Sequence, residues 1–184
     1  MVTIQINNYS YDIPTNWTEV TLRQYIELAT YIGDMSHIRL LSIFTNIDYD
    51  VLCNFPCDDF KIKVIPEMAF LSEAIDVLTI KRASKLHIGS YEFEPILDPS
   101  KERLGQKLFM QQITENAVTK NLPHYSLVAP VIANYYAPFV HPLKKWDEKH
   151  IAEFEQLVLN MPLVEAYPEA SFFLTGWLTY STKK

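Results

Sequence analysis

Apolar and polar residues alternate at the start of the chain, with Val2, Ile4 and Ile6 set against Thr3 and Gln5. Tyr9, Tyr11 and Ile13 resume the alternation up to Pro14. A period of two broken by Asn7-Asn8, a pair that accepts positive φ, predicts a β-hairpin turning there. Beyond Trp17 the period lengthens to that of a helix. Thr21-Leu22-Arg23-Gln24 has the form of a capping box, and Val20 before it can pack on Tyr25 as a hydrophobic staple. Leu22, Tyr25, Ile26, Ala29 and Ile32 then keep helical spacing as far as Gly33. Ser36 can cap a second helix carrying Ile38, Leu41 and Phe44. Asp48 can cap a short third one with Val51 and Leu52, which stops before Pro56.

Between Asp59 and Val77 the pattern predicts two helical pieces broken at Pro66, followed by a short strand over Val77–Ile80. Leu86–Ile88 and Tyr91–Phe93 flank Gly89-Ser90, a two-residue hairpin turn. Asp98-Pro99 reads as a helix start, opening a helix through Leu104, Leu108 and Ile113 to about Val118. Tyr125–Tyr136 is almost entirely apolar despite Pro130, which marks it as a buried central helix. Asp147 caps a helix with Ile151, Phe154 and Val158 on its inner face. Pro162 and Pro168 divide the remainder into short helices, the last over Glu169–Tyr180. These readings give about eight helices and one or two small β-hairpins: a mainly α fold with minor β, of the α+β class. Residues 1–184 are expected to form a single domain with 1–14 as a hairpin appendage.

Composition narrows the function classes. The hydrophobic fraction of 48% is too high for a disordered chain, and 184 residues suffice for a core. The net charge of −6 is uneven: residues 1–60 hold two basic side chains, Arg23 and Arg39, against eight acidic ones. That sign repels phosphate backbones, and nucleic acid is not expected as the primary ligand. Lys81, Arg82 and Lys85 form a basic cluster that reads as a solvated turn. Met1–Asn8 has no signal-peptide pattern, and no apolar run approaches the ~18 residues needed to cross a bilayer. The chain is therefore expected in the compartment where it is made, neither secreted nor inserted in a membrane.

The pattern offers little catalytic chemistry. Gly33, Gly89, Gly105 and Gly176 are too dispersed for a phosphate-cradling loop. Cys53 and Cys57 read as small buried hydrophobes, and His37, His87, His124, His141 and His150 have no metal-ligand spacing. Glu92 and Glu94 share a strand face directed at solvent, and Glu153 and Glu155 diverge on a helix. No catalytic residue, metal ligand or cofactor is implied, although a thiol or histidine site assembled only in the fold stays open. The aromatic load is concentrated at the C-terminus, in Phe172, Phe173, Trp177 and Tyr180. Phe172 and Phe173 lie about 100° apart on a helix, so both cannot face one narrow core stripe. At least one of Phe173 and Trp177 is expected to be exposed and to bind a partner.

The alternating start ending in YDIPTNW, then TEVTLRQYIELA, KERLGQKLFMQQI and LVAPVIANYYAPF, resembles small virion or assembly proteins of tailed bacteriophages. The similarity points toward proteins of crAss-like phages and tail-assembly-chaperone-like proteins. It implies a non-enzymatic structural component near the head–tail region, found in the virion or the host cytoplasm. Its partners would be other phage structural proteins in a symmetric or repeated complex. The alternative from the residues alone is a small intracellular, hydrolase-like enzyme.

Overall fold

The computed structural model describes residues 1–6, 9–33, 35–55, 62, 64–77, 79–98, 102–141 and 143–181. The fold is α+β and mainly helical. Its contacts divide into two compact units, Met1–Ile75 and Asp76–Lys184, where the sequence pattern suggests one domain.

In the first unit, β1 (Val2–Ile6) and β2 (Tyr9–Ile13) pair antiparallel with Ile4 opposite Tyr11 and Val2 opposite Ile13. The Asn7-Asn8 turn lies outside the described residues. This hairpin is no appendage, because Ile4 and Ile13 are buried in a core with Val20, Leu41, Phe44, Leu52, Val64 and Met68. A 3-10 turn at Trp17–Glu19 leads to α1 (Leu22–Thr30). Its capping box is formed: Thr21 Oγ1 accepts from Gln24 N at 3.3 Å, and Gln24 Oε1 accepts from Thr21 N at 2.9 Å. Gln24 also donates to the Phe44 carbonyl of α2 (His37–Thr45) at 3.0 Å, so the cap joins two helices. α1 ends at Thr30 rather than at Gly33, leaving Ile32 exposed. Ser36 caps α2 and Asp48 caps α3 (Tyr49–Leu52) as the pattern suggests. The first of the two helical pieces expected after Asp59 falls largely outside the described residues, and the second is a 3-10 helix at Pro66–Ser72.

The second unit opens without the strand expected at Val77–Ile80; its described residues form a turn in which Thr79 N donates to Asp76 O. β3 (Leu86–Ile88) and β4 (Tyr91–Phe93) form the second hairpin, with Gly89 at φ +61° supplying the left-handed turn position. α4 (Leu104–Lys120) begins five residues later than Asp98-Pro99 suggests. Arg103 N donates to Gln106 Oε1 at 2.8 Å there, a cap made by a residue inside the helix. Its end is a Schellman turn: Asn121 adopts φ +50°, and Leu122 N reaches Ala117 O at 2.8 Å. α5 (Tyr125–Val140) is the buried centre and packs against α4, α6 (Glu148–Val158) and α7 (Leu163–Ser181). Asp147 caps α6 by accepting from His150 N.

Three prolines, Pro130 and Pro138 in α5 and Pro168 in α7, fail to break their helices. α7 runs unbroken through Pro168, and α5 continues through Pro138 to Val140. Each proline removes one N–H to the carbonyl four residues back. For Pro138 that carbonyl belongs to Asn134, and the Gln106 Nε2 of α4 donates to it at 3.0 Å. A long-range bond thus replaces the helical one. The division into short helices at Pro168 is overturned because Ala166, Tyr167, Ala170 and Phe173, on both sides of it, are buried together.

Candidate protein-binding surfaces

The C-terminal aromatics do not form the exposed surface that their spacing suggests. Phe173 is fully buried, stacked on Tyr135 with ring centroids 3.8 Å apart and edge-on to Tyr136. Its ring belongs to the core, which corrects the expectation of an exposed contact at that position. Phe172 lies beside it with the Arg82 guanidinium 3.7 Å over its ring. Trp177, one turn farther on, is partly buried. Two adjacent phenylalanines are accommodated because a cation covers the one that the core cannot take.

Arg82 does more than cover a ring. Its Nε donates to Glu169 Oε2 and its Nη2 to Glu169 Oε1, each at 2.7 Å, and Nη2 also reaches Ile96 O at 2.9 Å. Tyr136 completes the set by donating its hydroxyl proton to Glu169 Oε1 at 2.6 Å while accepting from Ile96 N. Burial, and then the Glu169 hydrogen bond, push the Tyr136 phenol above its ordinary pKa; Tyr135 shifts the same way through burial and its bond to Glu102. Glu169 is wholly buried with both oxygens engaged. The network ties the segment leaving β4 to α5 and α7 and presents no free carboxylate to a substrate. Of the basic cluster read as a solvated turn, Lys85 fits, pairing with exposed Glu92 at 2.6 Å, whereas Arg82 is drawn inward. Nothing local distinguishes the two; Glu169 lies 87 residues away.

α4 carries the most distinctive surface. Gln106, Met110 and Ala117 are buried, and Phe109 and Ile113 half-buried beside them. On a helix of 3.6 residues per turn these lie opposite Leu104, Leu108, Gln111, Glu115 and Val118, which share a stripe about 80° wide. That stripe faces outward. Leu104 is 72%, Leu108 56% and Val118 83% exposed, and between them Gln111 Nε2 donates to Glu115 Oε1 at 2.8 Å. The inner face is fixed by contacts with α5. Gly105 admits the Trp146 ring, which a Cβ there would meet at 2.6 Å, and Trp146 Nε1 donates to Asn134 Oδ1 at 2.9 Å. Asn134 Nδ2 in turn donates to Gln106 O at 3.1 Å. The signal for two apolar faces was present in the sequence, since Leu104, Leu108 and Val118 are out of phase with Met110, Ile113 and Ala117.

Other groups of interest are dispersed. In the first unit a groove of about 680 Å³ is lined by residues that include Tyr31, Arg39, Ile43, Tyr49, Glu27 and Asp48. Arg39 sits 5.0 Å from the Tyr31 ring centroid and 6.0 Å from that of Tyr49. Cys53 is exposed rather than buried, and its hydrogen bond raises the Tyr49 phenol above its ordinary value; Cys57 lies outside the described residues. In the second unit His141 and His150, nine residues apart in sequence, meet with ring centroids 4.9 Å apart. Among the described residues no group of three or more His, Cys, Asp or Glu side chains is placed to hold a metal ion, and no helix is long and apolar enough to cross a membrane.

No protein-family model matches the chain, and no curated protein or solved structure matches it either.

Proposed function

We propose that the chain is a non-enzymatic structural or assembly component of a tailed bacteriophage particle, acting through protein–protein contacts near the head–tail region. The observation that supports the contact role is the outward stripe of α4. Three aliphatic side chains stand in solvent on one face of a helix whose other face is packed, and such an unpartnered stripe marks an association surface. The phage setting is supported by the resemblance of YDIPTNW, TEVTLRQYIELA, KERLGQKLFMQQI and LVAPVIANYYAPF to small phage virion and assembly proteins. Trp177 is a second contact position on this reading, at the far end of the unit's last helix.

The test is size-exclusion chromatography with light scattering of the purified chain mixed with individual neck and tail proteins of such a phage. Co-elution with one of them, lost in a Leu104→Glu/Val118→Glu variant that keeps its far-UV circular dichroism, is the expected result. A wild-type chain that elutes apart from every one of them would overturn the proposal.

A further inference from the structure

The polar residues in the α4 stripe point to its occupant. Leu104, Leu108, Gln111, Glu115 and Val118 follow spacings of four, three, four and three, the repeat by which one helix lies along another. The stripe runs along a helix of 17 residues, about 25 Å at 1.5 Å per residue. A partner helix must therefore offer apolar side chains at the ends and, near the middle, a donor for Glu115 and an acceptor for Gln111. The same stripe, turned end for end, has that order. With Leu108 set opposite Val118 of a second copy, Gln111 of each chain falls opposite Glu115 of the other. Each Gln111 amide then has one N–H for its own Glu115, the bond already formed at 2.8 Å, and one for its partner's. A parallel pairing would instead stack Glu115 on Glu115 and Gln111 on Gln111, setting like charges side by side with no donor for Glu115 from the partner helix.

We infer that the outward face of α4 pairs antiparallel with α4 of a second copy of this chain, across a two-fold axis, with Leu108 against Val118 and Gln111 against Glu115. The inference rests on the reading of this stripe as a protein-binding face and names its partner. A closed two-fold contact uses the same patch twice, so each substitution in the stripe acts at two places in the dimer.

Sedimentation equilibrium of the full chain at about 100 μM tests it, a concentration at which even a seam this short can associate. A dimer is expected, becoming monomeric in Leu108→Glu and, separately, in Val118→Glu, with the far-UV spectrum of each unchanged. Orientation is read by disulfide trapping in a Cys53→Ser/Cys57→Ser background. A Leu108→Cys chain should cross-link to a size-tagged Val118→Cys chain in preference to another Leu108→Cys chain. A wild-type monomer, a dimer that survives both glutamate substitutions, or cross-links between identical positions would overturn the pairing. A monomer that still binds a head–tail protein through the stripe overturns it too, while leaving the proposed function standing.

Discussion

Replacing Gln106 by methionine keeps its length and removes its hydrogen bonds, and the structure says what that should cost. Gln106 is buried, and its side chain serves two backbone groups: it donates to Asn134 O at 3.0 Å and accepts from Arg103 N at 2.8 Å. The Asn134 carbonyl depends on it because Pro138 has no N–H to close the helical bond. Stranding that buried carbonyl costs about 1–3 kcal/mol, and loss of the bond at the helix start adds about 1 kcal/mol. The sum, about 2–4 kcal/mol, is a large share of the stability of a domain this size. Pro138→Ala supplies a new N–H to the same carbonyl. In the wild type that group is already satisfied, so the substitution should gain little beyond helix propensity and should lose the packing of the buried proline ring. In Gln106→Met it should return the carbonyl's share as well. Urea unfolding followed by tryptophan fluorescence gives all four corners of the cycle, with Trp146, bonded to Asn134, placed to report locally. The expected coupling is about 1–3 kcal/mol in favour of the double variant. If Pro138→Ala changes stability equally in both backgrounds, Gln106 does not stand in for the missing helical bond.

Four further outcomes are expected. Arg82→Met should destabilise the second unit by about 3 kcal/mol, the lower end for a broken buried pair because Arg82 is 22% exposed, and adding Glu169→Leu should recover part of the loss; denaturant unfolding of both variants checks this. Gly105→Ala places a Cβ 2.6 Å from Trp146, so overpacking of about 1–3 kcal/mol should exceed the helix-propensity gain of about 1 kcal/mol, and the sign should reverse in a Trp146→Ala background measured the same way. Burial raises the Glu155 carboxyl above its ordinary 4.5, so the folded state holds its proton more tightly than the unfolded one. Stability from that group is present below pH 4.5 and is lost as the pH rises through the folded value; Glu155→Gln should therefore raise the melting midpoint at pH 7 and change it little at pH 4. Thr21→Ala should cost about 1 kcal/mol in chemical denaturation, since it removes the acceptor for Gln24 N while the Gln24–Phe44 bond remains.

What was legible in the sequence follows the range of the interaction. Caps at Thr21, Ser36, Asp48 and Asp147 and the turn at Gly89 involve neighbours two to four residues apart, and the pattern alone places them. Phe173, Arg82 and Gln106 were not legible, because their partners at Tyr135, Glu169 and Asn134 are 28 to 87 residues distant. Pro168 shows the same competition from the other side. Locally it is a helix breaker, yet a buried surface on either side outweighs one missing hydrogen bond. Two adjacent rings about 100° apart do need two environments, but Phe173 takes the core and the second environment, that of Phe172, is Arg82 rather than a partner.

The α4 stripe lies between these limits. Helical spacing placed Leu104 and Leu108 on a helix, but an apolar set on each of two faces does not say which face the fold itself will use. Gly105 and Gln106 decide it. The missing side chain at 105 admits Trp146, and the amide at 106 is claimed by the carbonyl that Pro138 leaves open. A helix with Gln106, Met110 and Ala117 inward and Gly105 at its flank against Trp146 must turn Leu104, Leu108 and Val118 outward, because the buried set and the stripe lie on opposite sides of the same cylinder. The exposed stripe is thus a consequence of how the core of this unit closes. Repolarising it with glutamate should leave that core intact, so its three aliphatic side chains can be altered for association without altering the fold that presents them.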